Sequence, residues 1–278
     1  MRHLIRAAAL AAAVVLAAVL VPASPASARV DSRTRPIIFV HGLDPGWDFD
    51  ASSNCANWNQ LMTALRDWGH NAPMHTMKYY AQDTNCTDSM GSTDQNTSIW
   101  TLGYLLADWI WDHYTVRGIP VDIVGHSMGG LIARAALANT GAPGWPQYLL
   151  VEDVVTLGTP HQGSDSAYGC WYTQCEELRP NSAFLQSLPE NPQGYGGTDW
   201  TLVGSDSDPH VQQSGVGMTA AHKVMYLYPD YGHSGYYTDT SPLEDADVHW
   251  NNGAGWYAWY SALRVGKWTD YALTFGTY

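Results

Sequence analysis

Val121-Asp122-Ile123-Val124-Gly125-His126-Ser127-Met128-Gly129-Gly130 is the stretch on which the reading of this chain turns. Its first four residues are a short, mainly apolar run that follows Gly118-Ile119-Pro120, which reads as a strand. From residue 128 the pattern changes. Leu131, Ile132, Ala135 and Ala136 share one face of a helix expected over 128–139, and Gly141 lies just beyond its end. Between the two, Gly125-x-Ser127-x-Gly129 turns the chain sharply, with glycines where neighbouring backbone has to pass close. A serine on such a turn stands at the carboxyl end of a strand and at the positive end of a helix. The bare motif is weak evidence, since any tight strand–turn–helix uses glycine. Its flanks give it weight.

Outward from this turn, strand and helix patterns alternate. Residues 36–40 form an apolar run closed by His41-Gly42, a buried-strand signal. Trp58, Leu61, Met62, Leu65 and Trp68 keep helical spacing before Gly69, and residues 72–79 read as a second strand. Ile99, Leu102, Leu105, Leu106, Trp109 and Ile110 mark another helix. Strands are expected at 148–157, 200–203 and 224–228, and the Trp256, Trp259, Tyr260, Leu263 cluster reads as a last helix. Residues 161–199 are rich in Gly, Pro, Ser and aromatics, with little periodicity. The alternation predicts an α/β fold, a mainly parallel sheet of about six strands with helices on both faces.

The chain has 278 residues, 45% apolar and 14% charged, which excludes a disordered chain. Lys and Arg number 13 against 26 Asp and Glu, a net charge of −13 that disfavours nucleic acid as a partner. Residues 1–28 read as a signal peptide, with Arg2 and Arg6 first, then an apolar run over 7–21, then Ala26-Ser27-Ala28 as the cleavage site. The apolar run spans about 22 Å as a helix, short of the ~30 Å core of a membrane, so a transmembrane anchor is not expected. The chain left by cleavage, 29–278, is read as one secreted, monomeric catalytic domain. Cys55, Cys86, Cys170 and Cys175 all follow the signal, and an even count in an exported chain reads as two disulfides. Of the three connectivities, Cys55–Cys86 and Cys170–Cys175 join cysteines within one region. No cysteines have Cys-x-x-Cys spacing, and no metal or other cofactor is implied. Glu244, Asp245 and Asp247 could hold calcium, but a solvated acidic turn is the simpler account.

Gly125-His126-Ser127-Met128-Gly129-Gly130 resembles the nucleophile turn of secreted bacterial lipases of the α/β-hydrolase superfamily, of the class 2 lipase type. Phe39-Val40-His41-Gly42-Leu43 is similar to their first-strand segment. Thr156-Leu157-Gly158-Thr159-Pro160-His161-Gln162-Gly163-Ser164 resembles their Gly-Thr-Pro-His segment, and Tyr231-Gly232-His233-Ser234-Gly235 resembles the segment holding their histidine. The resemblance implies the α/β-hydrolase fold and a triad in the chain order Ser, acid, His, with Ser127 as nucleophile. Of the histidines that follow, His161, His210, His222, His233 and His249, the best placed is His233, in a loop past the strand at 224–228. His249 is second. The acid is expected after the strand at 200–203, where Asp208, before a turn proline, is preferred to Asp206. The oxyanion hole is assigned to the N–H groups of Met128 and Leu43. Here the chain reads His41-Gly42-Leu43-Asp44 where lipases carry His-Gly-Gly-Gly.

The implied chemistry is acyl transfer on a carboxylic ester of a lipid, by a lipase or carboxylesterase through an acyl-enzyme. A histidine base with an ordinary pKa predicts an activity loss below about pH 6.5. Thirteen Trp and 17 Tyr fill a core, or line an apolar groove of Trp171, Tyr172, Tyr195, Trp200, Tyr236 and Tyr237. Residues 161–199 could cap the site as a lid. The same triad also serves polyester or phospholipid substrates and acyltransferases, and a binding protein could retain the fold without turnover.

Overall fold

The computed structural model describes residues 32–45, 53–227, 231–237, 244–250 and 257–274. The signal segment 1–28 and Trp256 lie outside the described residues. The strands are β1 (Ile37–Val40), β2 (Met74–Tyr80), β3 (Asp88–Thr93), β4 (Val121–His126), β5 (Val151–Leu157), β6 (Asp199–Ser205), β7 (His222–Tyr226), β8 (Glu244–His249) and β9 (Tyr257–Ala262). The helices are α1 (Asn59–Asp67), α2 (Ile99–His113), α3 (Met128–Ala138), α4 (Thr173–Leu178), α5 (Ala183–Ser187) and α6 (Val265–Thr274).

The strands form one sheet in the order β3-β2-β1-β4-β5-β6-β7-β8-β9. Pairing is parallel from β3 to β7 and antiparallel at β7–β8 and β8–β9. The mainly parallel sheet is as expected, but it has nine strands where about six were read. The three extra strands lie at the edges. β3, Asp-Ser-Met-Gly-Ser-Thr, has no apolar run to mark it. β9 takes the place of the helix expected at Trp259 and Tyr260, and the helix α6 follows it. Antiparallel pairing with β8 supplies β9 with a ladder, and aromatic-rich sequences suit a pleated surface.

Strand periodicity builds two cores. Along β1, Ile38 and Val40 face one side with Leu106 of α2 and Leu131 of α3. Ile37 and Phe39 face the other with Leu61 and Leu65 of α1 and Trp268 and Leu273 of α6. Every residue of β1 and β4 is buried, as befits strands covered on both faces. The disulfides join Cys55 to Cys86 and Cys170 to Cys175, with Cα–Cα distances of 4.9 and 6.0 Å. Asp245 and Asp247 lie on β8 rather than in an acidic turn.

Ion pairs tie the amino-terminal ends of the strands. Buried Arg35, just before β1, reaches Asp122 of β4 at 2.8 Å and Glu152 of β5 at 3.0 Å, and also pairs with Asp153. Asp270 docks α6 by accepting from Arg33 at 3.1 Å, His70 at 3.0 Å and Lys267 at 2.6 Å. Burial alone would raise the Asp270 pKa, but hydrogen bonds from His70, Lys267 and Arg33 outweigh it and hold the carboxyl well below the usual range. A carboxyl with a depressed folded pKa contributes its stability above the unfolded value and loses it as pH falls. Asp270→Asn is expected to cost about 2 kcal/mol, roughly 4–8 °C in melting temperature, allowing for the part-exposed cations. Melting curves of both forms should show the gap in full at pH 7 and shrinking below about pH 4.

Candidate active site

β4 ends at His126, and α3 begins at Met128, so Ser127 alone makes the turn. Its backbone sits at φ 53° and ψ −129°, a conformation that non-glycine residues seldom adopt. The Ser127 N–H donates to the Leu157 carbonyl at 2.9 Å, and its own carbonyl accepts from Gly130 at 3.2 Å. Close approach explains the glycines. A Cβ on Gly125 would lie 2.6 Å from the Gly130 nitrogen, and one on Gly129 would strike the Val40 carbonyl. A Cβ on Gly42 would lie 2.6 Å from the Ser127 Cβ, so the loop after β1 rests directly on the serine.

The structure brings Ser127, His233 and Asp208 into one hydrogen-bonded line. His233 Nε2 is 2.9 Å from Ser127 Oγ, and its Nδ1 is 2.8 Å from Asp208 Oδ2. Asp208 lies past the end of β6 and His233 opens a single 3-10 turn past β7. Asp208 is fully buried. Its Oδ1 accepts from the N–H groups of His210 at 2.9 Å and Val211 at 3.1 Å, and Tyr236 Oη donates to Oδ2 at 3.3 Å. Burial pushes the Asp208 pKa up, yet the bond and charge of His233 and the two amides overcome this and leave it below the ordinary value. Burial and the neighbouring Asp208 raise Tyr236 well above a normal phenol, so it stays a donor.

Asp206 is exposed and His249 lies on β8, its backbone registered with Lys223. His222 pairs with Asp199 at 3.0 Å, and buried His161 meets Thr156 Oγ1 at 3.0 Å. Leu43 lines the same cavity as Ser127, and the Met128 N–H is the first amide of α3, one of the donors a helix cannot satisfy internally.

Supporting groups escaped the sequence reading. Buried His126 has Nε2 at 2.8 Å from the His233 carbonyl, so its N–H donates to the backbone of the histidine loop. Burial, then the nearby His233, lowers the His126 pKa to about 3, which keeps the ring neutral. His41, after β1, places Nε2 at 2.9 Å from Asp83 Oδ2 and Nδ1 at 2.9 Å from the Gly42 carbonyl. Tyr79 stacks on His41 at 4.1 Å, with its hydroxyl 2.8 Å from the His41 carbonyl and 2.7 Å from that of Gly42. Asp83 also accepts from the amides of Tyr79 and Tyr80, each at 2.8 Å. Asp83 is three residues from Cys86, but nothing local marks it as the partner of a histidine 42 positions away.

A cavity of about 240 Å³ opens over Ser127 and His233, lined by Leu43, Pro45, Ala167, Cys170, Leu178 and Val211, with His210 and Ser166 on its polar side. Among the described side chains, none of the aromatics proposed for a groove lines it. Trp171 and Tyr195 are exposed, Trp200 is core, Tyr236 lies against Asp208, and the Tyr237 side chain lies outside the described residues. Tyr172 immediately precedes α4. Among the described residues no group of His, Cys, Asp or Glu is arranged to hold a metal ion, and no helix is long and apolar enough to cross a membrane.

A triacylglycerol lipase of Burkholderia plantarii is 30% identical over 149 residues, which is 52% of this chain and 36% of that relative. The matched stretch thus spans little more than a third of the relative's length. The mature form of a Bacillus licheniformis lipase, BlEst2, superposes with a TM-score of 0.51 at 18% identity, over 76% of this chain and 89% of that one. Its propeptide form gives 0.50 at 19%, over 76% and 49%. At these identities the likeness is one of fold, and with the mainly parallel sheet it identifies the α/β-hydrolase fold. Residues 31–174 match the PGAP1-like alpha/beta domain, from the start of β1 through the Ser127 turn into α4. With more than half of its length matched, the chain belongs to the PGAP1-like alpha/beta domain family.

Proposed function

We propose that the protein is an exported serine hydrolase of carboxylic esters, with 29–278 as one catalytic domain. The observation that carries this is the line from Ser127 Oγ to His233 at 2.9 Å and on to buried Asp208 at 2.8 Å, on a strained turn. The lipase relative of Burkholderia plantarii supports the same chemistry. Two disulfides suit an oxidising compartment, and the signal read at 1–28 supplies the route.

In the reaction, neutral His233 takes the Ser127 proton as Oγ attacks the ester carbonyl carbon. Asp208 holds the ring in the tautomer with Nδ1–H and stabilises the imidazolium. The Met128 and Leu43 N–H groups receive the charge that develops on the carbonyl oxygen, aided by the N-terminal end of α3. The tetrahedral intermediate collapses, its C–O bond breaks, and His233 returns the proton to the leaving alcohol. Water, deprotonated by His233, then attacks the acyl-enzyme and releases the acid. No metal or other cofactor enters any step. The Gly42 loop rests on Ser127, so whatever positions that loop also positions the Leu43 amide. The His41–Asp83 bond and Tyr79 do this.

Ser127→Ala should lower kcat/KM for a p-nitrophenyl ester by a factor on the order of 10⁶ and abolish labelling by a fluorophosphonate. Unchanged turnover would refute the assignment. Asp208→Asn should reduce kcat by about 10⁴, because the histidine tautomer is no longer enforced. His126, held near 3 by burial, stays neutral and adds no step to the acid limb of the pH–rate profile above about pH 4. A pH profile with two acid steps would contradict this. Asp83→Asn should lower kcat roughly 10- to 100-fold and leave KM nearly unchanged, by loosening the oxyanion loop. Steady-state kinetics on folded variant decides it, and an unaltered kcat would remove Asp83 from the site.

A further inference from the structure

The cavity over Ser127 is closed on one side by the segment 164–178, and that segment is fastened to the body of the fold. Gln174 is fully buried, and its side-chain amide donates to the carbonyls of Asp94 at 3.1 Å and Thr97 at 2.8 Å, while its oxygen accepts from Tyr80. Glu177 caps the N-terminus of α2, accepting from the Ile99 amide at 2.6 Å and from Ser98 Oγ at 2.5 Å. The Ser164 amide donates to the Leu178 carbonyl at 2.9 Å. Farther along, Arg134 of α3 donates to the carbonyls of Leu188 at 3.3 Å and Pro189 at 2.9 Å. Leu178, Phe184, Leu185 and Leu188 belong to the same core cluster as α2 and α3. Lifting segment 164–178 would uncover Ala167 and Leu178, both members of that core, and strip a buried glutamine of its partners. Elements that move are built with few buried contacts, and this one is not.

We infer that this segment is a fixed wall rather than a lid, and that the substrates are dissolved esters of short to medium acyl chains, taken up singly. The inference rests on the reading of Ser127 as nucleophile. Size sets the chain length. A cavity of about 240 Å³ falls below the ~300–1,000 Å³ range of clefts that enclose drug-sized ligands. With the ester group itself over Ser127, the cavity has room for an acyl chain of short to medium length. The far side is set by Ala167, Leu178 and Cys170, the last tied to α4 by its disulfide. Tyr168 and Trp171 flank this wall, 58% and 84% exposed, on the outside rather than in the cavity. They are the features that a lipid-docking enzyme would share, so the test includes them.

The experiment uses the mature protein with p-nitrophenyl esters from butyrate to palmitate, and with tributyrin below and above its solubility limit. The expected kcat/KM peaks between four and eight carbons and falls at least tenfold by sixteen, and the tributyrin rate saturates with no rise at the limit. Ala167→Leu should cut octanoate turnover about tenfold relative to butyrate, and Leu178→Ala should move the optimum to longer chains. If either variant fails to fold, judged by its melting curve, the other carries the test. A peak at sixteen carbons, a profile unmoved in the folded variants, or a severalfold rise at the limit that Trp171→Ser removes would each overturn the inference. Absence of any Ser127-dependent turnover on all esters is a different result, and would overturn the reading of the nucleophile itself.

Discussion

Ser127 is held at φ 53°, where a β-carbon crowds its own backbone, at a cost of order 1–3 kcal/mol. The rest of the molecule exists around that constraint. The turn is possible only because β4 is locked between β1 and β5, so that the Ser127 amide meets the Leu157 carbonyl at 2.9 Å. It is reached by the β1 loop only because residues 42, 125 and 129 lack side chains. The conformation aims the hydroxyl out of the strand–helix junction, towards the histidine loop and the cavity. Sheet, glycines and helix dipole thus converge on one atom.

The fold was most legible where one residue pattern sufficed. β1 and β4 are buried on both faces, so their apolar runs betrayed them, and α2 and α3 carry broad apolar faces. β3 and β8 were not legible, because Asp88–Thr93 and Glu244–His249 become strands only through their neighbours. The Trp259 and Tyr260 cluster misled for a related reason: aromatic spacing fits a helix or a strand, and β8 decides between them. At the site, chain order and loop position led to Ser127, Asp208 and His233, each past a strand end. The braces around them were hidden, since His41 meets Asp83, and His126 meets the His233 carbonyl, across 42 and 107 positions with no local signature. The aromatic groove failed because abundance says nothing about facing. The cavity is built from Leu, Pro, Ala and Val instead.

Charge is divided between the two ends of the sheet. At the amino-terminal ends of the strands, Arg35 sits among Asp122, Glu152 and Asp153, and Asp270 gathers Arg33, His70 and Lys267. These clusters join elements far apart in sequence. At the carboxyl ends, Asp208 and Asp83 each hold a histidine. The same chemistry, a buried carboxylate facing a cation or an imidazole, braces the fold at one end and orders the histidines around Ser127 at the other.

The bond between His126 and the His233 carbonyl spans 107 positions, and that between Ser127 and His233 spans 106. As the chain emerges during synthesis, the serine turn can be made long before the histidine that meets it exists. Contacts at such separations form late, after the local helices and the first strand pairs. Until β7 has docked and the loop behind it has closed on His126, the Ser127 hydroxyl has no imidazole beside it. The Ser127–His233 contact thus arrives with the carboxyl-terminal part of the sheet, as a property of the finished fold.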